Sequence, residues 1–198
     1  MKDIINIHIE ELKLYSHKLA VKIQESGYIP DHILYVERAG LFIGYEIADY
    51  FSCSISGIYS SRSGGNLKAK FQFILKFLPK LITNFLREIE IKSSVHDIKK
   101  NRNVYVEGIF PPKEKKILLV DDAIDSGHSM MSISDYLTTK GYNTKNIKIA
   151  VLTTTHKQSV CKPDYSLFEK TICAGPWSYD SKEYKQCWEL YSKLKKLL

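Results

Sequence analysis

The chain has 198 residues, and its 29 basic against 22 acidic side chains give a formal net charge of +7. This charge suits an anionic small molecule, a nucleic acid or an anionic membrane surface, and does not choose among them. An apolar content of 44% with 12% aromatics excludes a disordered chain, and the length fits one domain with a sizeable core. Four cysteines without metal-ligand spacing, and no apparent signal peptide or membrane-length apolar run, lead us to expect a cytoplasmic protein.

The first part of the chain alternates between strand and helix patterns. In order, we predict a short strand over 4–9, a helix over 10–24, a buried strand over 33–36, a loop over 37–40, a helix over 41–51 and a strand over 53–59. This order implies a right-handed crossover and therefore an α/β fold with an open, mostly parallel twisted sheet and helices on both faces. In such sheets ligands bind beyond the carboxyl ends of the strands.

Residues 66–92 are the most unusual segment, and we expect a helical insertion there. Apolar side chains recur at helical spacing over 71–89, basic residues decorate the segment, and Pro79 would kink it. A basic amphipathic helix can lie on a membrane surface, which makes peripheral membrane contact through 71–89 one interpretation. The favoured alternative is that its apolar face packs on the core or on a second subunit. A strand over 104–110 is predicted to follow.

The most informative stretch is 117–131, which reads I-L-L-V-D-D-A-I-D-S-G-H-S-M-M. Its apolar start predicts a strand buried on both faces and ended by Asp121 and Asp122. Asp125 and the small residues of 126–129 then lead into a helix, whose unpaired N–H groups and dipole favour a phosphate. The adjacent carboxylates would repel a phosphate but can accept hydrogen bonds from vicinal hydroxyls. The stretch therefore indicates a ribose 5-phosphate ligand, with its diol on the acids and its phosphate on the loop.

This stretch resembles the phosphoribosyl-pyrophosphate (PRPP) motif of type I phosphoribosyltransferases, two acids followed by D-[ST]-G-x-[ST], and the chain is most similar to their xanthine/hypoxanthine branch. The resemblance implies an enzyme that transfers the 5-phosphoribosyl group of PRPP with release of pyrophosphate and uses Mg²⁺. It implies that Asp125 is the catalytic acid/base. It also implies that Asp121 and Asp122 bind the metal ion in addition to PRPP. The PRPP-binding residues that it implies here are Asp121, Asp122, Ser126, Gly127, His128 and Ser129.

The loop after the first buried strand is similar to the family's pyrophosphate loop. Its V-E-R-A-G-L resembles the S-R-G-G-L form of xanthine-type members, which assigns Arg38, Ala39 and Gly40 to PRPP binding. A guanidinium can grip phosphate through two parallel hydrogen bonds. Glu37 replaces a small residue and Ala39 replaces a glycine, so a strained peptide here could be costly. The alternative is that Arg38 pairs with Glu37 or Glu46 on the surface.

Downstream of the motif we predict a helix over 133–139, a strand over 147–152, an irregular tail and a closing helix over 182–197. The K-P-D-Y at 162–165 is similar to a motif of purine phosphoribosyltransferases that precedes a small hood over the base, which would span about 153–180 here. The lysine that contacts the base in that family falls among the threonines 153–155, with His156 or Lys157 as possible replacements. Its stacking aromatic residue falls at Ile172. Ile172 and Trp177 are therefore the expected acceptor-binding residues, although Trp177 also fits a packing role.

Three functions compete at this point. The first is phosphoribosyl transfer to a nitrogenous base, with a 6-oxopurine expected. The second is transfer from PRPP to another acceptor, such as a sugar hydroxyl in glycan assembly, which the altered hood and the basic helix favour. The third, a non-catalytic PRPP- or nucleotide-binding regulator, is disfavoured because no helix-turn-helix extension is visible and Asp125 is retained.

We also expect a single domain over 1–198 and a homodimer. The expected small-molecule partners are PRPP and an acceptor, and no nucleic acid is expected. The resemblance further implies a mobile lid over 60–65.

Overall fold

The computed structural model describes residues 3–62, 102–155 and 158–198. Contacts group the chain into two compact units, residues 1–60 with 104–198 and residues 61–103. The predicted insertion at 66–92 and the predicted membrane-contact segment 71–89 lie outside the described residues. They remain predictions, as does the single-domain organisation.

Eight strands and four helices are described. In chain order they are β1 (Asp3–Asn6), α1 (Ile9–Glu25), β2 (His32–Val36), α2 (Gly40–Phe51), β3 (Ser54–Arg62), β4 (Arg102–Glu107), β5 (Ile117–Ile124), α3 (His128–Thr139), β6 (Ile147–Thr154), β7 (Tyr165–Glu169), β8 (Thr171–Ala174) and α4 (Tyr184–Lys195), with a 3-10 turn at Thr144–Asn146. Six strands form the main sheet in the order β4-β3-β2-β5-β6-β7, and β1 pairs with β8 in a separate parallel sheet. Within the main sheet β2 is parallel to β3 and β5, and β6 is parallel to β5 and β7. The predicted open, mostly parallel α/β sheet is confirmed.

The two central strands, β2 and β5, carry the core on both faces. Ile33 and Leu118 belong to a buried cluster with residues of α1 and α2, whereas Leu34 and Leu119 belong to a second cluster with residues of α3. A strand covered on both faces needs a continuous apolar run rather than alternation. The sequences of β2 and β5 have that run, and helices cover both faces as predicted.

The strand β5 is longer than predicted. It was expected to end at Asp121 and Asp122, but it carries both acids and continues past them to Ile124. Its ladder with β6 extends through Asp121–Val151 to Ile124–Thr154, because backbone pairing does not depend on an apolar side chain. Similarly, β3 continues to Arg62, so residues 60–62 form strand rather than the predicted loop. Residues 63–65 lie outside the described ranges, and the lid at 60–65 remains a prediction.

The tail after β6 is not irregular, contrary to the prediction. Tyr165–Glu169 forms β7 on the edge of the main sheet, and Thr171–Ala174 forms β8 against β1. Both are short strands at sheet margins, where half-burial weakens the apolar pattern that would reveal them. β8 falls within the range 153–180 that is predicted for the hood, and the hood itself remains a prediction. No helix in the described ranges is both long enough and apolar enough to cross a membrane.

His32 makes the fold sensitive to pH. Its ring is buried at the start of β2, and its two nitrogens lie 2.7 Å from Ser54 Oγ and 2.7 Å from Ser56 Oγ. Burial lowers the pKa of His32 from 6.5 to about 4. Because the pKa of His32 is lower in the folded than in the unfolded protein, the stabilisation that comes from the neutral ring is fully present above pH 6.5. This stabilisation is lost as the pH falls from 6.5 towards about 4.

We therefore expect the unfolding free energy of the wild type to drop across this pH interval by about 3 kcal/mol more than that of His32→Gln. Urea unfolding of both proteins at a series of pH values measures the difference. Equal pH slopes would show that His32 does not stay neutral in the folded protein.

Candidate active site

Two acids occupy the carboxyl end of β5. Asp121 and Asp122 are half-buried, and the Asp122 N–H donates to Asp121 Oδ1 at 2.9 Å. Burial raises the pKa of both carboxyls, and the charge of Asp122 raises that of Asp121 further. Within the described ranges no lysine or arginine forms an ion pair with either acid. The pair therefore suits a ligand that brings hydroxyl donors or a cation.

The predicted phosphate loop leads directly into α3. Gly127, the N-cap residue, has a φ of 82°, and a Cβ at this position would lie 2.3 Å from Ser159 Oγ and 2.7 Å from the Cys161 nitrogen. The Val160 N–H donates to the Ser126 carbonyl at 3.0 Å. The segment 159–161 thus packs against the loop, and nothing in its sequence indicated this role.

Substituting Gly127 tests this close packing. A positive φ costs a residue with a side chain about 1–3 kcal/mol. Because the added Cβ would also clash with the segment 159–161, we expect Gly127→Ala to destabilise the protein by more than this amount. We also expect it to abolish high-affinity PRPP binding. Gly27→Ala is a matched control, because Gly27 has a φ of 80° and a Cβ added there would meet nothing within 4 Å. Thermal melts and PRPP calorimetry of both variants measure the two effects, and equal losses in both would argue against a tightly packed loop.

Asp125 follows β5 directly and is exposed. The Thr155 hydroxyl, just past the end of β6, donates to Asp125 Oδ1, and the Thr155 N–H donates to the Ile124 carbonyl at 3.0 Å. The neighbouring Thr153 is buried and donates its hydroxyl to the Thr171 carbonyl at 2.7 Å. Thr155 therefore orients Asp125 and Thr153 ties β6 to β8, roles that the sequence did not reveal. His156 and Lys157 lie outside the described residues.

The loop after β2 lies next to the acids. A Cβ on Gly40, the first residue of α2, would lie 2.7 Å from the Val120 carbonyl oxygen and 3.5 Å from Asp121 Oδ1. The Glu37–Arg38 peptide is cis. Ala39 has φ −66° and ψ −29°, a conformation open to every residue, so this position does not require the glycine of the related motif. The structure thus brings Arg38, Ala39 and Gly40 to the same sheet end as the acid pair.

Arg38 does not form the predicted alternative ion pairs. Its side chain is exposed, whereas Glu37 pairs with Lys195 at 2.9 Å and Glu46 lies 3.9 Å from Lys13. No ion pair joins Arg38 to another residue that the structure describes. Its guanidinium is therefore available for an anionic ligand.

The two predicted acceptor residues have different surroundings. Ile172 on β8 is 38% exposed. The Trp177 ring stacks on Phe42 of α2, with centroids 6.1 Å apart and planes at 13°, and a Cβ on Gly175 would lie 2.3 Å from it. The Trp177 indole also favours the charged form of Asp122, which opposes the burial that raises the pKa of this acid. This placement favours a packing role for Trp177 and leaves Ile172 as the more accessible hood residue.

Phosphoribosyltransferases are among the solved structures that share this architecture. A purine phosphoribosyltransferase from Pyrococcus horikoshii Ot3 superposes with a TM-score of 0.61 at 19% identity, over 89% of this chain and 94% of that one. The Helicobacter pylori xanthine-guanine-hypoxanthine phosphoribosyltransferase gives 0.60 at 16% identity, over 94% and 99%. A hypothetical protein from Neisseria gonorrhoeae with bound ppGpp gives 0.59 at 17% identity, over 98% of each chain. At these identities the likeness concerns the fold alone, and it confirms the predicted phosphoribosyltransferase fold.

Sequence comparison gives the family. No curated protein matches the chain. Residues 5–183, however, match the phosphoribosyl transferase domain family, and this range contains both the loop after β2 and the acid-loop-helix stretch. The chain therefore belongs to the phosphoribosyl transferase domain family and is a phosphoribosyltransferase.

Proposed function

We propose that this enzyme transfers the 5-phosphoribosyl group of PRPP to a 6-oxopurine base, with release of pyrophosphate, as a step of cytoplasmic nucleotide salvage. The observation that supports this most is the close approach of the start of α2 to β5 at the sheet end, where Gly40 lies against Val120 and Asp121. The ribose diol then binds Asp121 and Asp122, the 5-phosphate binds residues 126–129, and the pyrophosphate binds residues 38–40.

The acid pair fits a magnesium ion. Mg²⁺ prefers oxygen ligands, keeps several waters and binds through one or two carboxylates together with substrate phosphates. Asp121 and Asp122 supply such oxygens, and no basic residue in the described ranges forms an ion pair with either of them. When bound, the ion would neutralise charge on the pyrophosphate leaving group.

Asp125 is the proposed catalytic acid/base. It lies between the diol acids and the phosphate loop, so its carboxylate is close to the position of the anomeric carbon. The Thr155 hydroxyl holds one of its oxygens. An acceptor nitrogen must lose a proton as it attacks, and a positioned carboxylate can take that proton.

Calorimetry and a base screen test the proposal. The wild type should bind PRPP in the presence of Mg²⁺ and should release pyrophosphate when hypoxanthine, guanine or xanthine is added. Absence of PRPP binding would overturn the proposed donor. PRPP binding without turnover on any purine would overturn the proposed acceptor.

The hood favours a second candidate, transfer from PRPP to a sugar hydroxyl. Thr153 bonds to Thr171, and the Trp177 ring stacks on Phe42, so neither residue offers the charged or stacking contact expected for a base. An aliphatic Ile172 forfeits aromatic stacking worth about 1 kcal/mol. Measuring pyrophosphate release with glycan acceptors in place of purines distinguishes this candidate from transfer to a base. PRPP binding without turnover on either acceptor class would instead favour a regulator.

A further inference from the structure

The Glu37 side chain, where the related motif has a small residue, is held by the C-terminal helix α4. It is only 7% exposed, although its neighbour Arg38 is exposed. Lys195 Nζ lies 2.9 Å from Glu37 Oε1, and the Tyr191 hydroxyl donates to Glu37 Oε2. Both carboxylate oxygens are therefore bound by residues of α4.

Lys195 is the centre of this cluster. Its ammonium also donates to Tyr35 Oη of β2 at 3.1 Å and to Glu107 of β4. Together with the bond to Glu37, these bonds use all three hydrogens of the ammonium. Burial alone would lower the pKa of Lys195, but the hydrogen bonds to Glu107, Glu37 and Tyr35 raise it above the usual value. The lysine is therefore charged at neutral pH, and one ammonium offsets part of the charge of two carboxylates.

The cluster fits its site closely. A Cβ on Gly57 of β3 would lie 2.9 Å from both Glu37 Oε1 and Tyr35 Oη, so only a glycine leaves room for this arrangement. The Glu37 N–H donates to the Ile58 carbonyl at 2.9 Å, which fixes the backbone at the start of the loop. The carboxylate is thus held on a rigid part of the sheet.

Glu37 and Arg38 line the same cavity, which has a volume of about 480 Å³ and also borders Glu107 and Tyr191. If Lys195 were absent, Glu37 would lose its only cation among the described residues. A buried carboxylate without a cationic partner is costly, and the exposed Arg38 guanidinium beside it offers a new cation. In an ion pair with Glu37, the Arg38 guanidinium would no longer be available to bind the pyrophosphate. The Glu37 carboxylate would also place a negative charge beside the pyrophosphate.

We propose that Lys195 is a positioning residue of the pyrophosphate loop, because by binding Glu37 it keeps Arg38 available to PRPP. This inference rests on the proposed function. It assigns the C-terminal helix α4 a role in binding the donor.

The test compares ligands that do and do not contain pyrophosphate. Calorimetry with Mg²⁺ should show that Lys195→Met weakens binding of PRPP and of pyrophosphate about tenfold or more, while binding of ribose 5-phosphate is unchanged. Lys195→Arg should recover much of the affinity, because it restores the cation.

Lys193→Met, an exposed position in the same last turn of α4, is the matched control and should behave as wild type. Adding Glu37→Gln to Lys195→Met should restore part of the affinity, because no free carboxylate then competes for Arg38.

Wild-type affinity for PRPP in Lys195→Met would overturn the inference, and so would an equal loss of ribose 5-phosphate binding. If circular dichroism shows that Lys195→Met does not fold, Tyr191→Phe decides, because it keeps the ring and removes one donor to Glu37. A folded Tyr191→Phe should bind PRPP several-fold more weakly, and unchanged affinity would overturn the inference. A wild type that binds neither PRPP nor pyrophosphate would overturn the proposed function itself, and the inference with it.

Discussion

Asp125→Asn should lower turnover by about 10²–10⁴-fold while PRPP still binds. The substitution keeps the shape of the side chain and an oxygen that can accept from the Thr155 hydroxyl, but removes the basicity. The proton released by the acceptor then has no positioned base. Pyrophosphate release at saturating PRPP and acceptor measures the loss, and calorimetry measures the retained affinity.

Asp135→Asn provides the matched control for this substitution. Asp135 lies exposed on α3, away from the loop, so its amide variant should have wild-type activity. A purely capping role for Asp125 would make Asp125→Asn nearly silent, since asparagine also caps well. The N-cap residue of α3 is Gly127, however, which places Asp125 outside the capping position. Full activity of Asp125→Asn with the correct acceptor would remove this residue from the mechanism.

The placement of the proposed donor-binding residues at one end of the sheet could be predicted from the sequence because its signals are local. The apolar run of β5, the acids and the small-residue loop are consecutive, so one stretch specifies strand, turn and helix together. The Arg38 loop could be placed beside it because carboxyl ends of parallel strands share one edge of the sheet. The same rule, applied to β5 and β6, would have placed Thr155 beside Asp125, since Ile124 pairs with Thr154.

The remaining features depend on contacts between distant parts of the chain. β8 is stabilised by pairing with β1 at the other end of the sequence, and its four residues have no pattern strong enough to reveal it. The hydrogen bond from Lys195 to Glu37 depends on how α4 docks against the sheet. An amphipathic pattern predicts that such a helix packs, but it does not predict which polar residues meet.

Replacing Asp121 and Asp122 together by Asn should weaken PRPP binding by about 3–6 kcal/mol, because charge-assisted hydrogen bonds are worth about 1.5–3 kcal/mol each. The effect on stability should have the opposite sign. Burial raises the pKa of both acids and mutual repulsion raises that of Asp121 further, so the ionised pair destabilises the ligand-free fold once the pH rises above the ordinary aspartate value.

At neutral pH the ligand-free double variant should therefore melt at a higher temperature than the wild type, and adding PRPP with Mg²⁺ should raise its melting temperature less. Asp135→Asn, which changes one exposed carboxylate, should alter neither quantity. Opposite shifts in affinity and stability would identify the pair as groups whose charge serves the ligand rather than the fold. Wild-type PRPP affinity in the double variant would remove both acids from the donor site.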